Sequence, residues 1–201
     1  MDLTDNPPKD TDYDPSTYLK GRLLVATPSM NDPRFHRAVI FICAHDEHGA
    51  MGLTINNTLP GVAFNQMINH FEIDPDTSDD LEKTAVLGGG PVETARGFVL
   101  HPASFRLDDT ILINDDYGVT GTIDALKAIA SGDGPEQFLF MLGYAGWTAG
   151  QLDQEVQQNS WLIATPDDSL LFNTEAEQKW KSALARLGIE PGFLSGQAGR
   201  A

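Results

Sequence analysis

Arg37-Ala38-Val39-Ile40-Phe41-Ile42-Cys43-Ala44-His45-Asp46-Glu47-His48-Gly49-Ala50-Met51-Gly52-Leu53-Thr54-Ile55-Asn56 is the stretch whose reading decides the fold class. Its first half, Ala38 to Ala44, is apolar without alternation, the pattern of a central strand covered on both faces. Asp46-Glu47-His48-Gly49 supplies polar turn residues, and beyond them Met51, Leu53 and Ile55 alternate with other residues. The spacing predicts a β-hairpin, Arg37–His45 paired with Ala50–Asn56.

On the N-terminal side, Gly21 to Thr27 reads as a strand stopped by Pro28, and Asn31-Asp32-Pro33 marks a turn in the following loop. On the C-terminal side, Val62–Phe71 reads as a helix carrying Met67, Ile68 and Phe71 on one face, followed by an acidic loop from Asp74 to Glu82. Short strands are expected at Thr84–Leu87, Gly97–His101 and Thr110–Asn114. A helix at Ile123–Ser131 has Thr122 as its N-cap and Gly132 past its end. Phe138–Leu142 reads as a buried strand, Trp147–Gln158 as a helix, and Trp161–Thr165 as a strand ended by Pro166. A last helix is signalled by Thr174 and Glu177 at capping-box spacing, with Trp180, Ala183, Leu184 and Leu187 at helical period before Gly188. Strands and helices interleave without a βαβ rhythm or a fixed repeat, which points to α+β, mixed strands and helices.

The chain has 201 residues and is 41% hydrophobic, enough for one core. Residues 1–17 hold five aspartates and little to bury, so they read as a disordered acidic N-terminal tail, with a single domain over 18–201. The formal net charge of −16 sets direct nucleic-acid binding at a disadvantage, because a phosphate backbone would be repelled. No apolar run approaches a membrane span, no export signal is visible, and the lone Cys43 has no partner for a disulfide within the chain. A cytoplasmic protein is expected.

Three segments are candidates for chemistry. Simple alternation along a strand puts Cys43 and His45 on one face, close enough for the imidazole to activate the thiol, although free cysteine is among the most buried residue types. Gly88-Gly89-Gly90-Pro91 follows a strand, lacks both the P-loop and the dinucleotide spacing, and can hold an anion on its amides with Arg96 nearby, or serve as a tight turn. Gly143-Tyr144-Ala145-Gly146-Trp147 reads as a strand-to-helix elbow with alanine where a nucleophile would stand, so Tyr144 and Trp147 count as groove or core anchors. The five histidines show no metal-ligand spacing, and neither a metal nor another cofactor is called for. Asp153 and Glu155 fall on the solvated face of the expected helix and are left without a role.

Taken in order, these segments resemble the YqgE/AlgH family of bacterial proteins. The resemblance rests on Gly21-Arg22-Leu23-Leu24-Val25-Ala26-Thr27-Pro28, on Val39-Ile40-Phe41-Ile42-Cys43, and on Gly49-Ala50-Met51-Gly52-Leu53-Thr54-Ile55-Asn56. It continues through Gly88-Gly89-Gly90-Pro91-Val92, Arg96-Gly97-Phe98-Val99-Leu100-His101 and Leu142-Gly143-Tyr144-Ala145-Gly146-Trp147. It implies a bifurcated sheet, partly curled into a small barrel and surrounded by helices, and a label of transcriptional regulator with no established reaction. Two functions follow. One is a binding or regulatory module acting through a protein partner or a small-molecule ligand in a groove lined by these segments, with Gly88, Gly89, Gly90, Arg96, Tyr144 and Trp147 as binding residues. The other is a thiol-dependent enzyme using Cys43 with His45, the glycine amides serving as an oxyanion site.

Overall fold

A computed structural model describes residues 18–70, 73, 81 and 84–190. The expected acidic tail at 1–17 and most of the acidic loop at 74–82 lie outside the described residues, as does Phe71.

Ten strands form one sheet: β1 (Leu23–Ala26), β2 (Val39–Asp46), β3 (Gly49–Thr54), β4 (Thr58–Ala63), β5 (Ala85–Gly88), β6 (Val92–Pro102), β7 (Ile111–Leu112), β8 (Tyr117–Thr120), β9 (Leu139–Thr148) and β10 (Trp161–Ala164). Among the described residues they are accompanied by the helices α1 (Phe64–His70), α2 (Ile123–Ala130), α3 (Gln151–Gln157), α4 (Asp168–Leu171) and α5 (Ala176–Arg186). The main path of the sheet runs β10-β1-β2-β3-β9-β6-β8-β7 and is antiparallel, while β5 joins β9 in parallel and carries β4 on its other side. The sheet curls into a half-barrel, an α+β architecture.

β9 is where the sheet divides. Its first part pairs with β5 through Phe140, Met141 and Leu142, and its last part pairs with β3 through Ala145 to Thr148 along the same edge. Its opposite edge is held by β6. Between the two parts sits Gly143 at φ +73°, a left-handed conformation that a side chain resists. The expected elbow is therefore continuous strand, and the expected helix at Trp147 begins instead at Gln151. Period alone misled here: Ala145 to Thr148 pair with β3 and Tyr144 with Val92 of β6, and that pairing outweighs their glycine content.

The central hairpin forms as expected, with β2 flanked by β1 and β3. One face of β1–β2–β3 packs Leu23, Val25, Val39, Phe41 and Leu53 against α4 and α5, where Leu170, Leu171, Trp180 and Leu184 close the core. The other face packs Leu24, Ile40 and Ile42 with Trp147, Trp161 and Leu152 of α3. A third cluster joins Phe64 and Ile68 of α1 to Leu126 and Ile129 of α2 over Val86, Val99 and Phe140.

Two caps differ from expectation. Thr174 turns back to donate its hydroxyl to the Ser169 carbonyl (2.8 Å), so no capping box forms and Glu175 is the N-cap of α5 without a side-chain bond. Thr122 does precede α2 in extended conformation, but its hydroxyl makes no capping bond. α4, β4 and β8 were not expected from the sequence pattern. The short α4 is held at its end by Lys179, a buried side chain of α5 whose Nζ donates to the carbonyls of Leu170 and Leu171. Burial pulls that ammonium down to about 8.

Candidate functional site

Four stretches far apart in the chain meet around one groove of about 470 Å³, a size that suits a small molecule. Pro33, Arg34 and Phe35 form one wall, as a single 3-10 turn. Its shape is local chemistry: Asp32 accepts from the Arg34 amide (3.0 Å) and binds the Arg34 guanidinium through Nε and Nη2. The end of β3 and the start of β4 contribute Thr54, Asn57 and Leu59. The crossing from β5 to β6 contributes Gly88, Gly90, Pro91 and Thr94, and β9 contributes Leu142.

Two residues that neighbour groove residues in sequence have left-handed backbones, as Asn159 does elsewhere. Arg37, just past the 3-10 turn, has φ +54°, and Glu93, between Pro91 and Thr94, has φ +46°. Non-glycine residues avoid this region, and it persists only where surrounding bonds impose it. Those bonds are visible at Arg37: Asn56 at the end of the hairpin donates its amide to the Arg37 carbonyl (2.9 Å) and accepts from the Val39 amide (2.8 Å).

The glycine triplet is a close approach of one backbone to another. A Cβ on Gly89 would lie 2.2 Å from the Gly143 carbonyl oxygen, and one on Gly90 would lie 2.1 Å from the Tyr144 carbonyl carbon. The Gly88 amide donates to Asn57 O and the Gly89 amide to Leu142 O, both at 2.7 Å. Two of the amides expected to hold an anion are therefore already spent on the sheet. Arg96 turns away, paired with Glu93 (3.2 Å) and lying over the Phe98 ring. Tyr144 packs edge-on against the same Phe98 and does not line the groove.

Cys43 and His45 do not share a face. Between Ile42 and Ala44 the pairing with β3 slips, so that Ile42 opposes Gly52 while Ala44 opposes Met51. One extra residue in β2 reverses the alternation beyond it. Cys43 stays in the core with Val39 and Phe41, where burial pushes its thiol up to about 12. His45 emerges on the other face, accepting the Leu19 amide at Nδ1 (3.0 Å), with Asp153 3.7 Å from Nε2. The activated thiol pair is thereby corrected: bulge and burial remove both the base and the thiolate. A thiol reagent at mildly alkaline pH is expected to leave Cys43 unmodified in the native protein and to label it fully in denaturant; rapid labelling of the native state would contradict this burial.

Trp147 belongs to the face with Trp161, and the two indoles both donate to Glu155 of α3, at 2.9 and 2.8 Å. Gln151 adds a third bond to the same carboxylate. Asp153 and Glu155, which had no role in the sequence, thus fasten α3 to the sheet. Among the described residues no three His, Cys, Asp or Glu side chains are grouped to hold a metal, and no helix is long and apolar enough to cross a membrane.

The groove therefore collects Gly88 and Gly90 but not Cys43, Arg96, Tyr144 or Trp147. Arg34, Phe35, Thr54, Asn57, Leu59 and Thr94 line it without having been singled out in the sequence, where only the Asp32-Pro33 turn hinted at a built loop.

Residues 23–192 match a family model described as AlgH-like. A UPF0301 protein of Rhodopseudomonas palustris is 47% identical over 190 residues, covering 92% of this chain and 87% of the relative. One from Beijerinckia indica is 46% identical over 198 residues, covering 96% of this chain and 97% of the relative. The solution structure of the AlgH protein from Pseudomonas aeruginosa, at 40% identity, superposes with a TM-score of 0.74 over 92% of this chain and 97% of that one.

Proposed function

This chain belongs to the AlgH-like family, and we propose that it is a cytoplasmic binding module that takes a small molecule in the groove between the 3-10 turn and the β5–β6 crossing. Its regulatory output then passes to a protein partner that reads the liganded state. The observation that carries this reading is the convergence on one groove of residues from 33–35, 54–59, 88–94 and 142. A module of this kind needs no reacting group, in keeping with a buried thiol and spent glycine amides. The net charge of −16 favours a protein as the reader over DNA.

A larger hollow, about 540 Å³, opens beside the start of α5, with Glu136, Glu175 and Glu177 among the residues that line it. Its one lysine is committed to the carbonyls of Leu170 and Leu171. The groove is accordingly the better candidate. Screening a small-molecule fragment library against the isotope-labelled protein is expected to give amide shifts clustered at Arg34, Thr54, Asn57, Gly88 and Thr94. Hits that cluster at the hollow beside α5, or that scatter, would overturn the assignment.

A further inference from the structure

Resting on the reading of the groove as a binding site, we propose that its occupant is an uncharged small molecule with a hydroxyl or amide head and an apolar body. Thr54 points to the head group. It is only 4% exposed, its amide donates to the Gly89 carbonyl (2.9 Å), and it lines the groove. Among the described residues its hydroxyl has no hydrogen-bond partner, yet the oxygen is not among the atoms sealed from solvent. A polar group so deeply placed calls for a partner, and the open side from which one can arrive is the groove. A hydroxyl both donates and accepts, and the neighbouring Asn57 amide does the same, so the complementary ligand group is a neutral donor and acceptor.

Charge argues the same way. Among the described residues Arg34 is the only charged one lining the groove, and Asp32 already occupies its Nε and Nη2. The two charges offset each other, so the pair offers net attraction to neither an anion nor a cation. Among the described residues no further charged side chain lines the groove to pair with an ion of either sign. Either charge would be desolvated without compensation. The remaining surface, from Pro33, Phe35, Leu59, Pro91 and Leu142, is apolar and fits a ring or branched chain.

Three probes of one shape separate the possibilities: phenylacetamide, phenylacetate and 2-phenylethylamine, which are neutral, anionic and cationic at neutral pH. Titrated into the full isotope-labelled chain, the amide is expected to shift the Thr54, Asn57, Gly88 and Thr94 resonances, with each charged probe at least about 10-fold weaker. Thr54→Val is expected to weaken the amide about 3- to 10-fold and Thr54→Ser to preserve it, as one lost hydrogen bond requires. A charged probe that binds the groove as tightly as the amide overturns the uncharged class and leaves the groove reading standing. Thr54→Val binding like the native chain overturns the assignment of the head group to Thr54. If no probe and no library fragment moves these resonances, both the class and the groove reading fall.

Discussion

Gly89→Ala is expected to abolish cooperative folding or to cost roughly 4 kcal/mol or more, the range of severe core defects. The added methyl would sit 2.2 Å from the Gly143 carbonyl oxygen and 3.3 Å from a Met141 side-chain carbon. The first contact sets the methyl against backbone, and neither atom has a rotamer through which to relax. To admit it, the β5–β6 crossing must lift from β9, breaking the Gly89 amide's bond to Leu142 and the Thr54 amide's bond to Gly89. Gly121→Ala is the control, since a Cβ there meets nothing closer than 3.6 Å and its φ lies outside the left-handed region. That variant is expected to stay within about 1 kcal/mol of the parent. Urea unfolding followed by circular dichroism compares the two, and a Gly89→Ala midpoint equal to that of the parent would show that the crossing is not pressed against β9.

Glu155→Leu is expected to cost about 3 kcal/mol, because it strands the indole N–H groups of Trp147 and Trp161 after removing the carboxylate that both use. Trp161 is 2% exposed and Trp147 is 7% exposed, so water does not readily replace the acceptor. Glu155→Gln keeps an amide oxygen and loses the charge, and a smaller cost of about 1 kcal/mol is expected. Chemical denaturation monitored by tryptophan fluorescence measures both. Equal stabilities for the leucine and glutamine variants would mean that the carboxylate is dispensable to the α3 attachment.

How far the fold could be read in advance depended on whether a signal was carried by composition or by contact. The β2–β3 hairpin was legible because its apolar run and polar turn are properties of consecutive residues. The stripe of α5 was legible for the same reason, with Trp180, Ala183 and Leu184 buried as expected. The slip at Cys43 was not: a bulge inserts one residue without altering the apolar character of β2, yet it decides which face His45 occupies. β9 was misread beyond Leu142 because glycine suggests a turn wherever its partners are unknown, and here Gly143 is needed where the partner changes from β5 to β3. The Gly88–Gly90 stretch was visible as special, but composition cannot distinguish a glycine that faces a ligand from one that faces another backbone. The groove residues were the hardest of all, since Thr54, Asn57 and Thr94 are unremarkable one by one and acquire meaning only when the sheet brings them together.

The division of the sheet at β9 also constrains how the chain acquires its structure. The hairpin, β5 and β6 all precede β9, and each keeps an unpaired edge until residues 139–148 arrive. A nascent chain shorter than this carries open strand edges flanked by apolar side chains, a state prone to pairing with its neighbours. Closure then depends on contacts between segments far apart in sequence, the kind of topology that folds slowly. One late strand thus links both parts of the sheet, so the groove, which includes Leu142, is completed only when the whole assembly locks.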